Sequence, residues 1–301
     1  MKPDTVSQTA LGNAAGRAIE SCRDPDDRLF EDPYAFGLLP RSHRTMVRLL
    51  RIPLLGPALL AMRERQIPGV MGNLWCRTRF IDDAFRGALE EGFEQFVMLG
   101  AGLDTRAYRL VNTPDVLVFE VDHPSTQAWK RKAIERLAPD RASRVRFVPV
   151  DFDHDDLGDA MAAAGFNRGT RTFFVWEGVT QYLTSEAVDA TVRYVSGSAI
   201  PGSRLVFTYV DRAIIDGSAD ERIGAALRAE LDRHGEPWRF GIDPEELDTY
   251  LEARRLELLE TVGAADYRAR YLEPLDRKMN LFRGEWVAIA TVREEHDDRV
   301  S

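Results

Sequence analysis

From residue 92 onward, short apolar runs alternate with longer amphipathic segments, and this alternation limits the possible folds more than any other feature. The runs are rich in β-branched and aromatic residues, which is typical of strands, whereas the segments between them have helical periodicity. Strands that alternate with helices form a parallel, doubly wound sheet. We therefore predict an α/β protein with a Rossmann-like, seven-stranded sheet and helices on both faces, with strands at residues 96–99, 116–121, 145–150, 171–176, 204–210, 256–262 and 286–292.

The residues before this region have a different pattern. Strand-like runs are rare there, and prolines at positions 33, 40, 53, 57 and 68 break the helical periodicity. This pattern predicts several short helices, and we interpret residues 1–91 as an N-terminal helical cover on a main domain at residues 92–301. Within that domain, residues 211–240 interrupt the alternation with helical composition. We predict that this insertion covers the substrate.

The charge of the chain limits its partners. The formal net charge is −9 and the pI is near 5.2, so the average field repels phosphate backbones and anionic membranes. We therefore expect neither nucleic acid nor a membrane as partner. Basic residues cluster at 41–51 and 130–136, and charges at such spacings are typical of solvated helix faces.

Targeting and redox signals are absent from the sequence. No run approaches the roughly 20 apolar residues that span a bilayer, and the N-terminus has no apolar signal core. Cys22 and Cys76 are far apart and belong to no CxxC pair, so neither a disulfide framework nor a zinc site is predicted. These features indicate a cytoplasmic protein without a metal centre.

The first predicted strand runs directly into Gly100-Ala101-Gly102 and then into a helix. Glycines at such a turn allow the backbone to approach a ligand closely. A nicotinamide-binding site would have a third glycine three positions later, but that position is Thr105, which weakens a dehydrogenase interpretation. Taken alone, the motif is equally compatible with a tight turn that binds nothing.

An acidic residue ends the second predicted strand. Asp122 lies 20 residues beyond Gly102, where a carboxylate can accept hydrogen bonds from both hydroxyls of a ribose. Glu120 is an alternative, because side chains two positions apart share one face of a strand. Asp122 could instead cap the helix that starts near Pro124.

Polar or aromatic residues also end the next two strands. The third is followed by Asp151 and Phe152, a carboxylate for an exocyclic amine and a ring that can stack on a base. An acidic loop followed by a core aromatic is the alternative. Glu177 ends the fourth strand. Because ligands of open α/β sheets bind outside the carboxyl ends of the strands, we expect these groups to converge on one site.

The chain resembles the leucine carboxyl methyltransferase-like family of class I methyltransferases, in particular its bacterial small-molecule O-methyltransferases. The resemblance covers most of the first 210 residues, through the ordered motifs SQTALGNAAGRAIES, RLFEDPYA, LWCRTRFIDDAF, VMLGAGLDTRAYRL, FEVDHP, VPVDF, WEGVTQYL and GSRLVFTY. It implies that S-adenosylmethionine is the cofactor and that a carboxyl or hydroxyl group of a small organic acceptor, from secondary metabolism, is methylated. It also implies that the last strand is inserted antiparallel.

The same resemblance implies roles for individual residues. An arginine before the first strand would hold the carboxylate of S-adenosylmethionine, and the matching position is Arg77, with Arg79 as second choice. The other implied positions are Gly100 and Gly102 along the methionine and ribose, Asp122 at the ribose hydroxyls, Asp151 and Phe152 at the adenine, and Glu177 at the methionyl amino group.

The methyl acceptor is less constrained by the sequence. An acceptor carboxylate is ionised near neutral pH and needs no base, whereas a phenol or alcohol benefits from one. Tyr182, Tyr209 and His234 are the candidate bases. A protein C-terminal carboxylate as acceptor, a nicotinamide-dependent enzyme and a non-catalytic binding module are the alternative functions, and the sequence does not distinguish a monomer from a homo-oligomer.

Overall fold

One mixed sheet forms the centre of the computed structural model, which describes residues 6–152, 154–218 and 237–294. Its strands are β1 (Gln95–Leu99), β2 (Leu117–Asp122), β3 (Val145–Pro149), β4 (Thr172–Trp176), β5 (Arg204–Val210), β6 (Leu256–Val262) and β7 (Glu285–Val292). They lie in the order β3-β2-β1-β4-β5-β7-β6. Strands β1 to β5 run parallel to one another, and β7 lies antiparallel between β5 and β6. The predicted seven-stranded sheet with an antiparallel last strand is confirmed.

Helices precede the sheet and connect its strands. Before the sheet lie α1 (Gln8–Glu20), α2 (Ala35–Leu38), α3 (Arg41–Leu49), α4 (Leu55–Gln66) and α5 (Val70–Glu90). Within it lie α6 (Arg106–Arg109), α7 (Pro124–Leu137), α8 (Pro139–Ala142), α9 (Leu157–Ala163), α10 (Ser185–Ser198), α11 (Arg212–Asp216), α12 (Leu247–Glu252) and α13 (Ala264–Tyr267). No helix in the described ranges has both the length and the apolar composition needed to cross a membrane.

Side-chain hydrogen bonds at helix starts explain several of these boundaries. Ser7 caps α1, Asp156 caps α9 and Thr184 caps α10, each by accepting a backbone N–H of the first turn. Helix α7 is capped by His123, whose Nδ1 accepts the Ser125 N–H at 3.3 Å. Asp122 is therefore not the cap of that helix.

Each face of the sheet is buried by a different set of helices. Because side chains alternate along a strand, Phe96 and Met98 of β1 face the cluster that includes α1 and α5. The residue between them, Val97, faces the opposite cluster, which includes α9, α10 and α12. Phe85 of α5 stacks on Phe96 with ring centroids 4.4 Å apart. The helices before residue 92 therefore share their core with the sheet.

Two glycines of α1 give a matched test of its packing against α5. A Cβ on Gly16 would lie 2.3 Å from Leu74 Cδ2, whereas a Cβ on Gly12 would have no atom within 4 Å. We expect Gly16→Ala to lower the free energy of unfolding by about 1–3 kcal/mol through overpacking. Gly12→Ala should raise it by about 0.5–1 kcal/mol, because alanine loses less backbone entropy in a helix. Urea unfolding checks both values, and equal effects of the two substitutions would contradict the close approach.

Candidate functional site

A cavity of about 400 Å³ opens at the carboxyl ends of the parallel strands and is bounded on one side by the start of α1. This position matches the crevice in which open α/β sheets bind ligands. Six of the seven predicted cofactor residues line it, namely Gly100, Gly102, Asp122, Asp151, Phe152 and Glu177. Asn13 and Arg17 of α1 also line it; Arg17 belongs to the predicted N-terminal cover, whereas Asn13 was not predicted from the sequence. The expected convergence of strand ends is therefore observed.

The glycine turn after β1 forms the floor of the cavity. Gly100 and Gly102 both have left-handed backbone conformations, with φ of +63° and +47°. A Cβ on Gly100 would lie 2.4 Å from Val179 Cγ2, so a side chain cannot be placed there without displacing the loop after β4. A Cβ on Gly102 would meet only Ala10 Cβ and a backbone oxygen, at 3.4 and 3.8 Å, and would otherwise project into open space. The two glycines therefore keep backbone exposed to a ligand.

Asp122 lies at the end of β2 with its carboxylate against this turn. Its Oδ2 accepts the Gly102 N–H, and its Oδ1 accepts the His123 N–H at 2.6 Å. Burial raises the pKa of Asp122, and the two backbone donors offset only part of that effect. The carboxylate is thus held at the cavity wall as a hydrogen-bond acceptor.

Glu120, the alternative in the same strand, has a different environment. Its Oε2 lies 2.8 Å from Nζ of Lys130 on α7, and both side chains are buried. Burial raises the pKa of Glu120 to about 7, although the Lys130 ammonium acts in the opposite direction. Glu120 does not line the cavity. This ion pair leaves Asp122 as the acidic side chain that β2 presents to the cavity.

Cofactor binding should depend on pH through Asp122. An aspartate accepts hydrogen bonds best when ionised, and its raised pKa means that protonation begins at a higher pH than for an ordinary aspartate. We expect affinity for a ribose-containing ligand to be full near neutral pH and to fall as the pH is lowered through this raised value. Calorimetric titration at a series of pH values checks this. Asp122→Asn, whose side chain cannot ionise, is the control and should lose this pH dependence.

Glu177 follows β4 and is held by two arginines. Arg77 Nε donates to its Oε1 at 2.8 Å, and Arg106 Nη1 donates to its Oε2 at 2.6 Å. Burial alone would raise the pKa of Glu177, but the two guanidinium groups outweigh it and the pKa lies below its ordinary value. Glu177 therefore remains a carboxylate within the cavity wall.

Arg77 itself lies behind the wall and does not line the cavity. Besides Glu177 it binds Glu285 of β7 through Nη1. A Cβ on Gly178 would lie 3.8 Å from Arg77 Nη2 and 3.6 Å from Asn13 Nδ2, so both donors face the backbone of this glycine. Arg79, the second choice, instead pairs with Asp83 at 2.9 Å and is half-exposed.

Arg106, which binds Glu177 behind the cavity wall, is a second residue that sequence reasoning missed. Arg106 is 1% exposed, and its guanidinium binds Asp82, Asp104 and Glu177. Three carboxylates around one buried guanidinium hold the glycine turn, α5 and the end of β4 together. The LDTR motif contains both Asp104 and Arg106, but two charges so close in a loop also fit a solvated turn. No local signal predicts the partners on distant elements.

Asp151 and Phe152 lie at the rim of the cavity. The Asp151 side chain is 38% exposed, and its Oδ2 is 3.2 Å from His154 Nδ1. Phe152 is partly buried and packs against the cluster on the α9 and α10 face. An acid and a ring therefore lie side by side at the end of β3, as the sequence predicts.

The three candidate bases are placed differently. Tyr182 lines the cavity, with its hydroxyl 3.1 Å from Thr9 Oγ1 and its ring edge-on to Trp238. Tyr209 is fully buried away from the cavity, and its hydroxyl is 3.1 Å from Thr261 Oγ1. The alternation along β5 directs Tyr209 into the α10 and α12 face, so we drop it as a candidate base.

His234 and most of the predicted 211–240 insertion lie outside the described residues. Within the described ranges, no group of three or more His, Cys, Asp or Glu side chains is arranged to hold a metal ion.

Comparison with known proteins identifies the family to which the chain belongs. Residues 10–196 match the model of the family described as leucine carboxyl methyltransferase. A candidate S-adenosyl-L-methionine-dependent methyltransferase from Mycobacterium sp. (strain JLS) is 33% identical over 273 residues, which cover 88% of this chain and 84% of the relative. One from Mycobacterium tuberculosis is 37% identical over 222 residues, which cover 72% of this chain and 70% of the relative.

Solved structures agree with the fold. A candidate methyltransferase from Thermobifida fusca has a TM-score of 0.59 at 18% identity, covering 97% of both chains. A DUF574 family protein from Streptomyces avermitilis has a TM-score of 0.59 at 15% identity, covering 95% of this chain and 98% of that protein. From the family match and the relatives together, the chain belongs to the leucine carboxyl methyltransferase family and is an S-adenosylmethionine-dependent methyltransferase.

Proposed function

We propose that the protein methylates a carboxyl or hydroxyl oxygen of a small organic acceptor. The observation that carries this proposal is that Tyr182 and Arg239 both line the cavity, with the ring of Trp238 edge-on to that of Tyr182. An aromatic surface with a hydroxyl and a guanidinium suits a small molecule with a ring and an acidic oxygen. The family description, which names carboxyl methylation, supports an oxygen acceptor.

The nucleoside end of the cofactor is proposed to lie over β2 and β3. Asp122 would accept hydrogen bonds from the ribose hydroxyls, since its carboxylate is held at the cavity wall by the Gly102 and His123 amides. Asp151 and Phe152 would meet the exocyclic amine and the face of the adenine, because both line the cavity at the next strand end. Gly100 and Gly102 have no side chains and would leave room for the part of the cofactor that links the nucleoside to the methionine.

The methionyl end is proposed to lie over Gly178. A carboxylate placed there would face Asn13 Nδ2 and Arg77 Nη2, whose distances from a Cβ at that position are 3.6 and 3.8 Å. The ionised Glu177 beside it would attract the ammonium group. The acidic lining of the cavity, Asp104, Asp122, Asp151 and Glu177, suits a ligand whose sulfonium carries positive charge.

The acceptor is proposed to enter between Tyr182 and Arg239. S-adenosylmethionine supplies an electrophilic methyl group, so the protein has chiefly to align the acceptor oxygen and exclude water. The Arg239 guanidinium would anchor a carboxylate, which is ionised near neutral pH and needs no base. If the acceptor is a phenol, the Tyr182 hydroxyl is the candidate group to position the phenolic proton. The start of α1 would close over both ligands, as the predicted N-terminal cover requires.

Methyl-labelled S-adenosylmethionine and a panel of aromatic acids and phenols test this function. We expect label in an acid as a methyl ester, which mild alkali releases as methanol, whereas a methyl ether would resist alkali. Arg239→Gln should raise KM for the acid several-fold without changing cofactor affinity. Arg193→Gln, an exposed arginine paired with Asp189 outside the cavity, is the matched control.

Three results would contradict the proposal in different ways. Label on nitrogen or carbon would exclude O-methylation. Methylation restricted to peptide C-termini would favour a protein substrate. Cofactor binding without transfer to any compound in the panel or to any peptide would favour the binding module.

A further inference from the structure

Large apolar side chains are exposed almost entirely within one segment, residues 41–66, which contains α3 and α4. Of the eight large hydrophobic residues that are exposed in the described ranges, six lie here, namely Met46, Leu49, Ile52, Leu54, Leu55 and Met62. Soluble proteins rarely concentrate such side chains on one surface without a partner. The concentration therefore marks an interaction surface.

The same segment is strongly basic in an otherwise acidic chain. It contains six arginines and one acidic residue, Glu64, whereas the whole chain has a net charge of −9. Within the described part of the chain, no carboxylate pairs with Arg41, Arg48 or Arg51, although arginines elsewhere are mostly paired. Burial and the nearby guanidinium groups of Arg136, Arg48 and Arg41 lower the pKa of Arg44, whose side chain donates to the Leu39 and Gly37 carbonyls. Positive charge is therefore concentrated on α3 and the turn after it.

Leu54, directly before α4, has a side chain that contributes nothing to the core. Its side chain is 88% exposed, and its φ of +68° is the left-handed value that leucine rarely adopts. The Leu55 N–H bonds to Pro53 O at 2.9 Å, which closes a strained three-residue γ-turn around it. Strain of this kind persists at functional sites, because the fold itself gains nothing from an exposed leucine in this conformation.

We propose that segment 41–66 binds the surface of an anionic lipid bilayer. The exposed apolar side chains would enter the boundary between headgroups and acyl chains, and the unpaired arginines would bind lipid phosphates. Charge complementarity supports this partner, and exposed apolar side chains interspersed with the arginines of the segment fit a bilayer better than a nucleic acid. The expectation of no membrane partner came from the average charge, but this surface has the opposite sign.

This surface adjoins the acceptor end of the cavity. Ile67, directly after α4, is buried in a small cluster with Ile214 and Phe282, against which Tyr182 and Trp238 pack. Binding at a bilayer would therefore hold this wall of the cavity close to the lipid. The lipid-binding inference itself does not rest on the proposed methyl acceptor.

Vesicle co-sedimentation of the full-length protein tests the inference. We expect binding to vesicles of phosphatidylcholine mixed with phosphatidylglycerol, weak binding to phosphatidylcholine alone, and loss of binding as salt is raised. Leu54→Gly should weaken binding to the anionic vesicles by about ten-fold, because an inserted leucine is lost. The same substitution should leave the melting temperature unchanged or raise it, since glycine tolerates the turn. Arg48→Gln with Arg51→Gln should weaken binding by at least about ten-fold.

Matched controls lie elsewhere on the surface. Leu259→Gly removes an exposed leucine of β6 outside the segment, and Arg193→Gln removes an exposed arginine of α10. Neither should change vesicle binding. Wild-type protein that stays in solution with anionic vesicles would overturn the inference, as would Leu54→Gly protein that binds them like wild type. Self-association through this surface, detected by sedimentation velocity and lost in Leu54→Gly without any vesicle binding, would also overturn it.

Discussion

Replacing Asp122 with asparagine is expected to weaken S-adenosylmethionine binding by about a hundred-fold or more. The carboxylate is fixed at the cavity wall by the Gly102 and His123 amides, so both oxygens are preorganised as acceptors. An amide of the same shape has no negative charge and replaces one acceptor oxygen with a donor, so a backbone N–H or a ribose hydroxyl loses its acceptor. Hydrogen bonds to a charged group contribute about 1.5–3 kcal/mol each, and two ribose hydroxyls are involved.

Isothermal calorimetry with the wild type and the variant measures this loss. Asp115→Asn is the matched control, because Asp115 is an exposed acid in the loop before β2 and should leave affinity unchanged. A melting temperature close to that of the wild type would show that the Asp122 variant is folded. Retained affinity in a folded variant would refute the proposed ribose contact and reopen the question of which strand end binds the nucleoside.

Replacing Arg106 with methionine is expected to lower the free energy of unfolding by about 3–5 kcal/mol. Methionine fills much of the same volume but leaves Asp82, Asp104 and Glu177 around a site that has lost its positive charge. Asp104 loses its ion-pair partner, whereas Asp82 keeps Arg109 and Glu177 keeps Arg77, and a buried carboxylate without a partner is strongly unfavourable. Because Glu177 lines the cavity, cofactor affinity should fall as well. Urea unfolding followed by circular dichroism measures the change in stability.

Arg86→Met is the matched control for this experiment. Arg86 also pairs with an aspartate, Asp83 at 3.2 Å, but both side chains are well exposed. Surface pairs of this kind contribute about 0–1 kcal/mol, so stability should change little. If Arg106→Met does not fold, Arg106→Lys is measured in its place. Because lysine keeps the charge, its free energy of unfolding should lie between those of Arg86→Met and Arg106→Met. Equal stability of the Arg86 and Arg106 variants would refute the structural importance of the buried network.

The sequence by itself determined the sheet and the position of the site. The periods of the apolar runs distinguish strands from helices, and alternation of the two requires a parallel sheet whose strand ends share one edge. The residues at those ends therefore meet whatever the details of packing, which explains why Gly102, Asp122, Asp151 and Glu177 all line one cavity. The comparisons then identified the cofactor that this class of chain uses.

The tertiary structure decided which of the similar residues face the cavity. Glu120 and Asp122 share a face of β2, but Lys130 of α7 pairs with one and leaves the other at the cavity wall. Tyr182 follows β4 and Tyr209 lies near the end of β5, yet only Tyr182 lines the cavity.

Distant partners also fixed the charges around the cofactor site. Arg77 and Arg106 lie 100 and 71 positions from Glu177 in the sequence, and both bind its carboxylate. The local sequence pattern predicts whether an element is a helix or a strand and which of its faces is apolar. Burial and charge pairing depend on elements far away in the chain, so they are settled only when those elements pack.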